Sequence, residues 1–143
     1  MISPYNIPLI FGSALSAIAA ILHVGIIIKG ASWYRFFGAG EKMALAVEHG
    51  QWYPTFVTAA IAAVLGLWSA YALSGAGVIR PVPLVRPVLC AIALIYSLRG
   101  LVLVPVLILP HTASTSFGIW SSVICLMFAA THLLGLFQVW ERL

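Results

Sequence analysis

The sequence predicts an all-α integral membrane protein: a bundle of four transmembrane helices with a short interfacial helix in the first loop. Three observations predict it. Of the 143 residues 63% are hydrophobic and only 7% charged, where a soluble domain carries about 25% charged residues. The mean hydropathy is +1.11. Four apolar runs each reach the roughly 20 residues that a helix needs to cross a hydrocarbon core about 30 Å thick. Backbone left unpaired in lipid is so costly that each run is expected to be helical. Together these observations exclude an ordinary soluble domain, a disordered chain and a nucleic-acid binder. They place the whole of 1–143 in a single membrane domain.

The first span is expected over about 8–28. No basic stretch precedes it, and its apolar run continues past Ala17-Ile18-Ala19 to Ile28. It therefore reads as a retained helix rather than a cleaved signal. The second span is expected over about 54–73, the third over 87–109 and the fourth over 117–139. Proline stands at or near the start of the first three, where a missing N–H is harmless. Pro105 removes a hydrogen bond inside the third span and is expected to kink it, and Pro110 ends it. Gly12, Ser16 and Ala20 on the first span, and Ala62, Gly66 and Ala70 on the second, recur every four residues. Small residues at this spacing let helix backbones approach closely in lipid. Trp33, Tyr34, Trp52 and Tyr53 on one side, with Trp140 on the other, read as interface anchors.

The connections are unequal. Lys29 to Tyr53 is long and carries the stretch 40–49, whose helix-forming composition between glycines predicts the short interfacial helix. Ser74 to Arg86 is rich in glycine and proline, and Pro110 to Ser116 is short and uncharged. With four spans the Lys and Arg residues divide three against three. The terminal side holds Arg80, Arg86 and Arg142, and the other side Lys29, Arg35 and Lys42. The positive-inside rule is therefore tied. Glu41 and Glu48 dilute the basic charge of the first loop, which tips the expectation towards both termini in the cytoplasm of a bacterial-type inner membrane.

Chemistry is sought where ionisable groups sit at bilayer depth, because such groups are costly and face a bundle interior or a cavity. At a rise of about 1.5 Å per residue, His23 lies roughly 23 Å, Arg99 roughly 18 Å and His132 roughly 10 Å from the terminal side. Arg99 is the sharpest signal. Its guanidinium stays charged and needs a carboxylate, an anionic ligand or several carbonyls, yet no acid lies within any span. Glu41 and Glu48, seven residues apart on one face of the loop helix, are the nearest acids in the chain. An apolar setting would raise their pKa towards the range useful for acid/base work.

The candidate site is thus a polar pocket opening on the first-loop side. Glu41, Glu48 and His23 are its catalytic candidates, and Arg99, His49, Tyr53, Tyr96 and His111 its ligand-binding candidates. The competing reading pairs Arg99 with one glutamate purely to hold the fold. No metal is expected, since neither HxxxH nor ExxH spacing occurs. Cys90 and Cys125 have no CxxC partner and read as small core residues. No cofactor is expected, and the depths of His23 and His132 differ by more than about 10 Å, too far to clamp one haem.

The function expected is that of a membrane protein that binds, and in one version transforms, a lipophilic or anionic-headed small molecule. One alternative is an accessory subunit assembling with a larger membrane complex. Another is a small transporter working as a homo-oligomer. The partners expected are the lipid bilayer and a lipophilic molecule, with no nucleic acid.

Overall fold

The computed structural model describes residues 5–102, 104 and 116–142. Among them all regular secondary structure is helical, with no strand. The helices are α1 (Ile7–Lys29), α2 (Ala31–Phe36), α3 (Glu41–Glu48), α4 (Tyr53–Gly75), α5 (Val85–Leu101) and α6 (Ser116–Val139), closed by a 3-10 turn at Trp140–Arg142. Three helices are long and apolar enough to cross a membrane: Ile7–Lys29, Tyr53–Gly75 and Phe117–Arg142. Helix α5 is described over 17 residues. The rest of the expected third span falls largely outside the described residues, and so do Pro105, Pro110 and His111. The large apolar side chains exposed along the long helices, from Phe11 and Ile21 to Leu134 and Phe137, suit a lipid surrounding, where surface and core are equally apolar.

The chain forms two compact units, Met1–Ser16 with Trp68–Leu143, and Ala17–Leu67. The first unit is built on an antiparallel hairpin of α5 and α6. Their contacts step in opposite directions along the two helices: Arg86 meets Trp140, Tyr96 meets His132 and Phe128, and Gly100 meets Leu126. Gly100 is what lets the helices close. A Cβ there would lie 2.6 Å from the Leu126 side chain and 3.0 Å from its backbone nitrogen, so only a missing side chain permits the approach.

The start of α1 docks into this unit through polar contacts. Asn6 caps the helix: its Oδ1 accepts the Leu9 N–H at 2.9 Å, as an N-cap asparagine does. Its Nδ2 donates to Gln138 Oε1 at 2.8 Å, and its backbone N–H to the Ala76 carbonyl at 3.0 Å. Leu9, fully buried, fills the notch left by Gly75 and Gly135. Gly12 makes room for the His132 ring, which a Cβ would meet at 2.7 Å. Ser13 bonds Ser69 at 2.8 Å, and Ser16 bonds the Tyr96 hydroxyl at 3.0 Å. Of the two stripes of small residues, Gly12 and Ser16 line packed contacts, whereas a Cβ on Gly66 would meet nothing within 4 Å.

The second unit is smaller. Gly30 ends α1 and starts α2 with φ +70° and ψ −150°, a backbone region open essentially to glycine. The turn brings Trp33 back against Gly25 and buries Tyr34 with Ile26 and Ala44. Tyr34 therefore departs from the interface-anchor expectation. It is 1% exposed, and its hydroxyl donates to Thr58 Oγ1 at 2.9 Å and lies 3.1 Å from the Pro54 carbonyl. Trp52, by contrast, is exposed. An apolar groove in this unit is lined by Ala20, Ile21, Val24, Ile27, Ala59, Ala62 and Ala63.

Candidate functional site

Arg99 stands 14 residues beyond the start of α5, about 21 Å along the helix. Its Nη2 donates to Ser121 Oγ at 2.8 Å and its Nη1 to Ser122 Oγ at 3.4 Å. Those serines follow the start of α6 by five and six residues, about 8 Å. The contact therefore lies towards the end of the hairpin at which α6 begins. Local sequence explains the geometry. Gly100 closes the hairpin beside Arg99, and the Ser121-Ser122 pair interrupts an otherwise apolar run opposite it.

The arrangement leaves a charge unneutralised. Among the described residues the only salt bridges are those of Arg35, so Arg99 has hydroxyl partners and no carboxylate. Ser122 is 2% exposed, while Arg99 itself is exposed on the surface of its unit. Around it Ile95, Leu98, Leu101, Trp120 and Val123 present apolar surface. A guanidinium tethered by two hydroxyls keeps further N–H donors for an outside acceptor. Such a group can donate charge-assisted hydrogen bonds to an anion.

Tyr96 lies one turn below Arg99 and faces inward. It packs edge-on to Trp68 and Phe128 and tilts over His132, with ring centroids 5.0 to 5.4 Å apart. His132 is fully buried. Its Nδ1 donates to the Phe128 carbonyl at 2.8 Å, and its Nε2 has no hydrogen-bond partner among the described residues. His23 is half-buried, with Nδ1 donating to the Ala19 carbonyl at 2.7 Å in its own helix.

Glu41 and Glu48 meet on a different arginine. Arg35 Nη2 lies 2.7 Å from Glu41 Oε1, and Arg35 Nη1 lies 2.7 Å from Glu48 Oε1. Its Nε also donates to both oxygens of Glu41. These hydrogen bonds hold both carboxyls below the ordinary value of 4.5 and raise the Arg35 guanidinium further out of reach of titration. The expected upward shift is thus reversed in direction, because an exposed cation outweighs any apolar setting. His49 caps α3 and is exposed, and Tyr53 is 38% exposed at the start of α4.

The structure therefore groups Glu41 and Glu48 around Arg35 and sets Arg99 and Tyr96 a turn apart on α5, while His111 lies outside the described residues. No cluster of three His, Cys, Asp or Glu capable of holding a metal forms among the described residues. Cys90 and Cys125 are half-buried free thiols. The serines that tether Arg99 were missed from sequence. Their signal was the adjacent hydroxyl pair facing an arginine across a hairpin turn. The chain matches no protein-family model, no curated protein and no solved structure.

Proposed function

We propose that this chain is a four-span inner-membrane protein, with α3 lying at the membrane surface, that binds a lipophilic molecule through its anionic head on Arg99. The supporting observation is the state of that guanidinium: exposed, tethered by Ser121 and Ser122, and unmatched by a carboxylate among the described residues. The apolar neighbours Leu98, Leu101 and Trp120 would take the body of the ligand. A structural ion pair, the competing role for Arg99, would use Glu41 or Glu48, and Arg35 engages both of these.

The two glutamates would act at the membrane surface as fixed anions. Held ionised by Arg35, they are poor general acids at neutral pH. The function proposed is accordingly binding, with no chemical step assigned to them.

The test is retention of a long-chain fatty acid and of phosphatidylglycerol by the delipidated full-length protein, read by native mass spectrometry. Arg99→Leu is expected to lower retention of the fatty acid by at least about tenfold, the cost of one charge-assisted contact, and to remove one equivalent of phosphatidylglycerol, with Arg99→Lys intermediate. Should Arg99→Leu fail to fold, Ser121→Ala with Ser122→Ala loosens the tether and is expected to lower retention a few-fold. Undiminished retention in a folded Arg99→Leu variant would overturn the proposal.

A further inference from the structure

A second cationic feature lies at the other end of the same hairpin. The end of α4, the turn after it, the start of α5 and the end of α6 border an open cavity of about 420 Å³, lined by residues that include Ser74, Gly77, Pro81, Arg86, Val139 and Arg142. Its wall is built by local hydrogen bonds. Ser74 Oγ accepts the Val82 N–H at 3.0 Å and donates to the Arg80 carbonyl at 3.3 Å, which folds the Gly/Pro-rich turn over α4.

Two arginines, Arg86 and Arg142, line this cavity. Arg86 is fixed by stacking, with Cζ 3.7 Å from the centroid of the Trp140 ring. Stacking uses the face of the guanidinium, while its five N–H donors lie in the plane and stay available. Among the described residues no carboxylate pairs with Arg86 or with Arg142. The cavity sits where three helices end, beside Trp140 and the exposed Val78, Ile79 and Leu84. That combination of aromatic, apolar and cationic groups belongs to the headgroup level of a bilayer.

The geometry points to a second anion site: Arg86 and Arg142 take the phosphate of a phosphate ester, the cavity holding the headgroup and the surrounding apolar residues the first part of any acyl chain. Two arginines on one phosphate offer planar, bidentate donors that a single lysine lacks. The volume exceeds that of a bare phosphate and suits a glycerophosphate head. The site is independent of Arg99, which lies near the opposite face.

The test uses the delipidated full-length protein and three probes: phosphatidylglycerol, diacylglycerol as its phosphate-free counterpart, and inorganic phosphate. The paired variant Arg86→Gln with Arg142→Gln is expected to lose one equivalent of retained phosphatidylglycerol, with affinity down about tenfold. Arg99→Leu leaves that equivalent in place. Because Arg86→Gln also gives up the stack on Trp140, Arg142→Gln alone and Arg86→Lys keep the test open should the pair fail to fold. The first is expected to weaken binding several-fold, the second to retain most of it.

Phosphate-induced broadening in 31P spectra that vanishes in the paired variant would support a site able to take free phosphate. Binding of phosphatidylglycerol without a phosphate response would support a lipid headgroup. Unchanged phosphatidylglycerol retention in the folded paired variant, or equal retention of diacylglycerol by the wild type, would overturn the assignment.

Discussion

Arg35 and Arg99 carry the same guanidinium into two different settings. Arg35, on a six-residue helix outside the long apolar spans, collects both glutamates of α3 and is electrically satisfied. Arg99, on α5, collects two serine hydroxyls and, among the described residues, meets no carboxylate. The difference carries over to the units around them. One unit joins its helices through buried hydroxyls, an amide and an imidazole, and places glycine where backbones meet. The other buries alanine, isoleucine and tyrosine, with one buried hydroxyl bond between Tyr34 and Thr58, and keeps its ion pairs outside. Where the surroundings are lipid, unpaired polar groups are costly and short hydroxyl contacts satisfy them without adding charge. Where water reaches, an ion triad forms and contributes little.

The largest expected effect breaks the close approach on which the Arg99 side depends. Gly100→Leu forces α5 away from Leu126 and should lower unfolding stability by about 2–3 kcal/mol, measured by denaturant titration in detergent, with Arg99 drawn off its serines. Next, Asn6→Ala removes the cap of α1 and the bridge to Gln138 together. A loss of about 2 kcal/mol is expected, and a loss under half of that would mean the cap alone matters.

Ser121→Glu sharpens the comparison directly, because it gives Arg99 the kind of partner Arg35 already has. Fatty-acid retention should fall about tenfold, as for a lost charge, while the protein stays folded. Retention at the wild-type level would sink the idea that an unmatched guanidinium defines the site. Ser16→Ala, which removes the bond to the Tyr96 hydroxyl, is expected to cost only about 0.6 kcal/mol, the average for hydrogen bonds between membrane helices.

The smallest effect is on the Arg35 side. Glu41→Gln with Glu48→Gln should leave stability at pH 7 nearly unchanged, since the triad is exposed. Its signature is in pH dependence. Both carboxyls are held below their ordinary value by Arg35, so their contribution is present above the ordinary carboxyl range and is lost as pH falls through the depressed values. The wild type should therefore lose a small increment of stability below about pH 4.5 that the double variant does not lose, with 4.5 the ordinary carboxyl value.

Much of the fold was legible in the chain itself. Runs of apolar residues marked α1, α4 and α6, and glycines bracketing a helix-forming stretch marked α3. The expected span at 8–28 compares with a helix at Ile7–Lys29, and that at 54–73 with one at Tyr53–Gly75. The Asn6 cap is an ordinary sequence signal, an asparagine immediately before a helix. The polar groupings were less legible. The lack of any acid within the expected spans points Glu41 and Glu48 at Arg99, whereas Arg35, six residues from Glu41, reaches both. Tyr34 looked like a surface aromatic because its neighbours are, and the Gly30 turn buries it instead.

The sequence by itself determined the class of protein and the helical segments, because chain length against bilayer thickness and the cost of unpaired backbone leave one solution for a long apolar run. It also singles out one arginine, Arg99, inside an apolar run. Only the tertiary structure decided what that arginine touches. Each residue turns a helix by about 100°, so the partner of a side chain depends on helix rotation and on how closely two backbones approach. Those were settled by Gly100 and Gly12, by the turn at Gly30 and by the serine pair on α6. The physical reason is range: hydropathy acts over a whole segment, while a hydrogen bond fails once its atoms are more than about 3.5 Å apart.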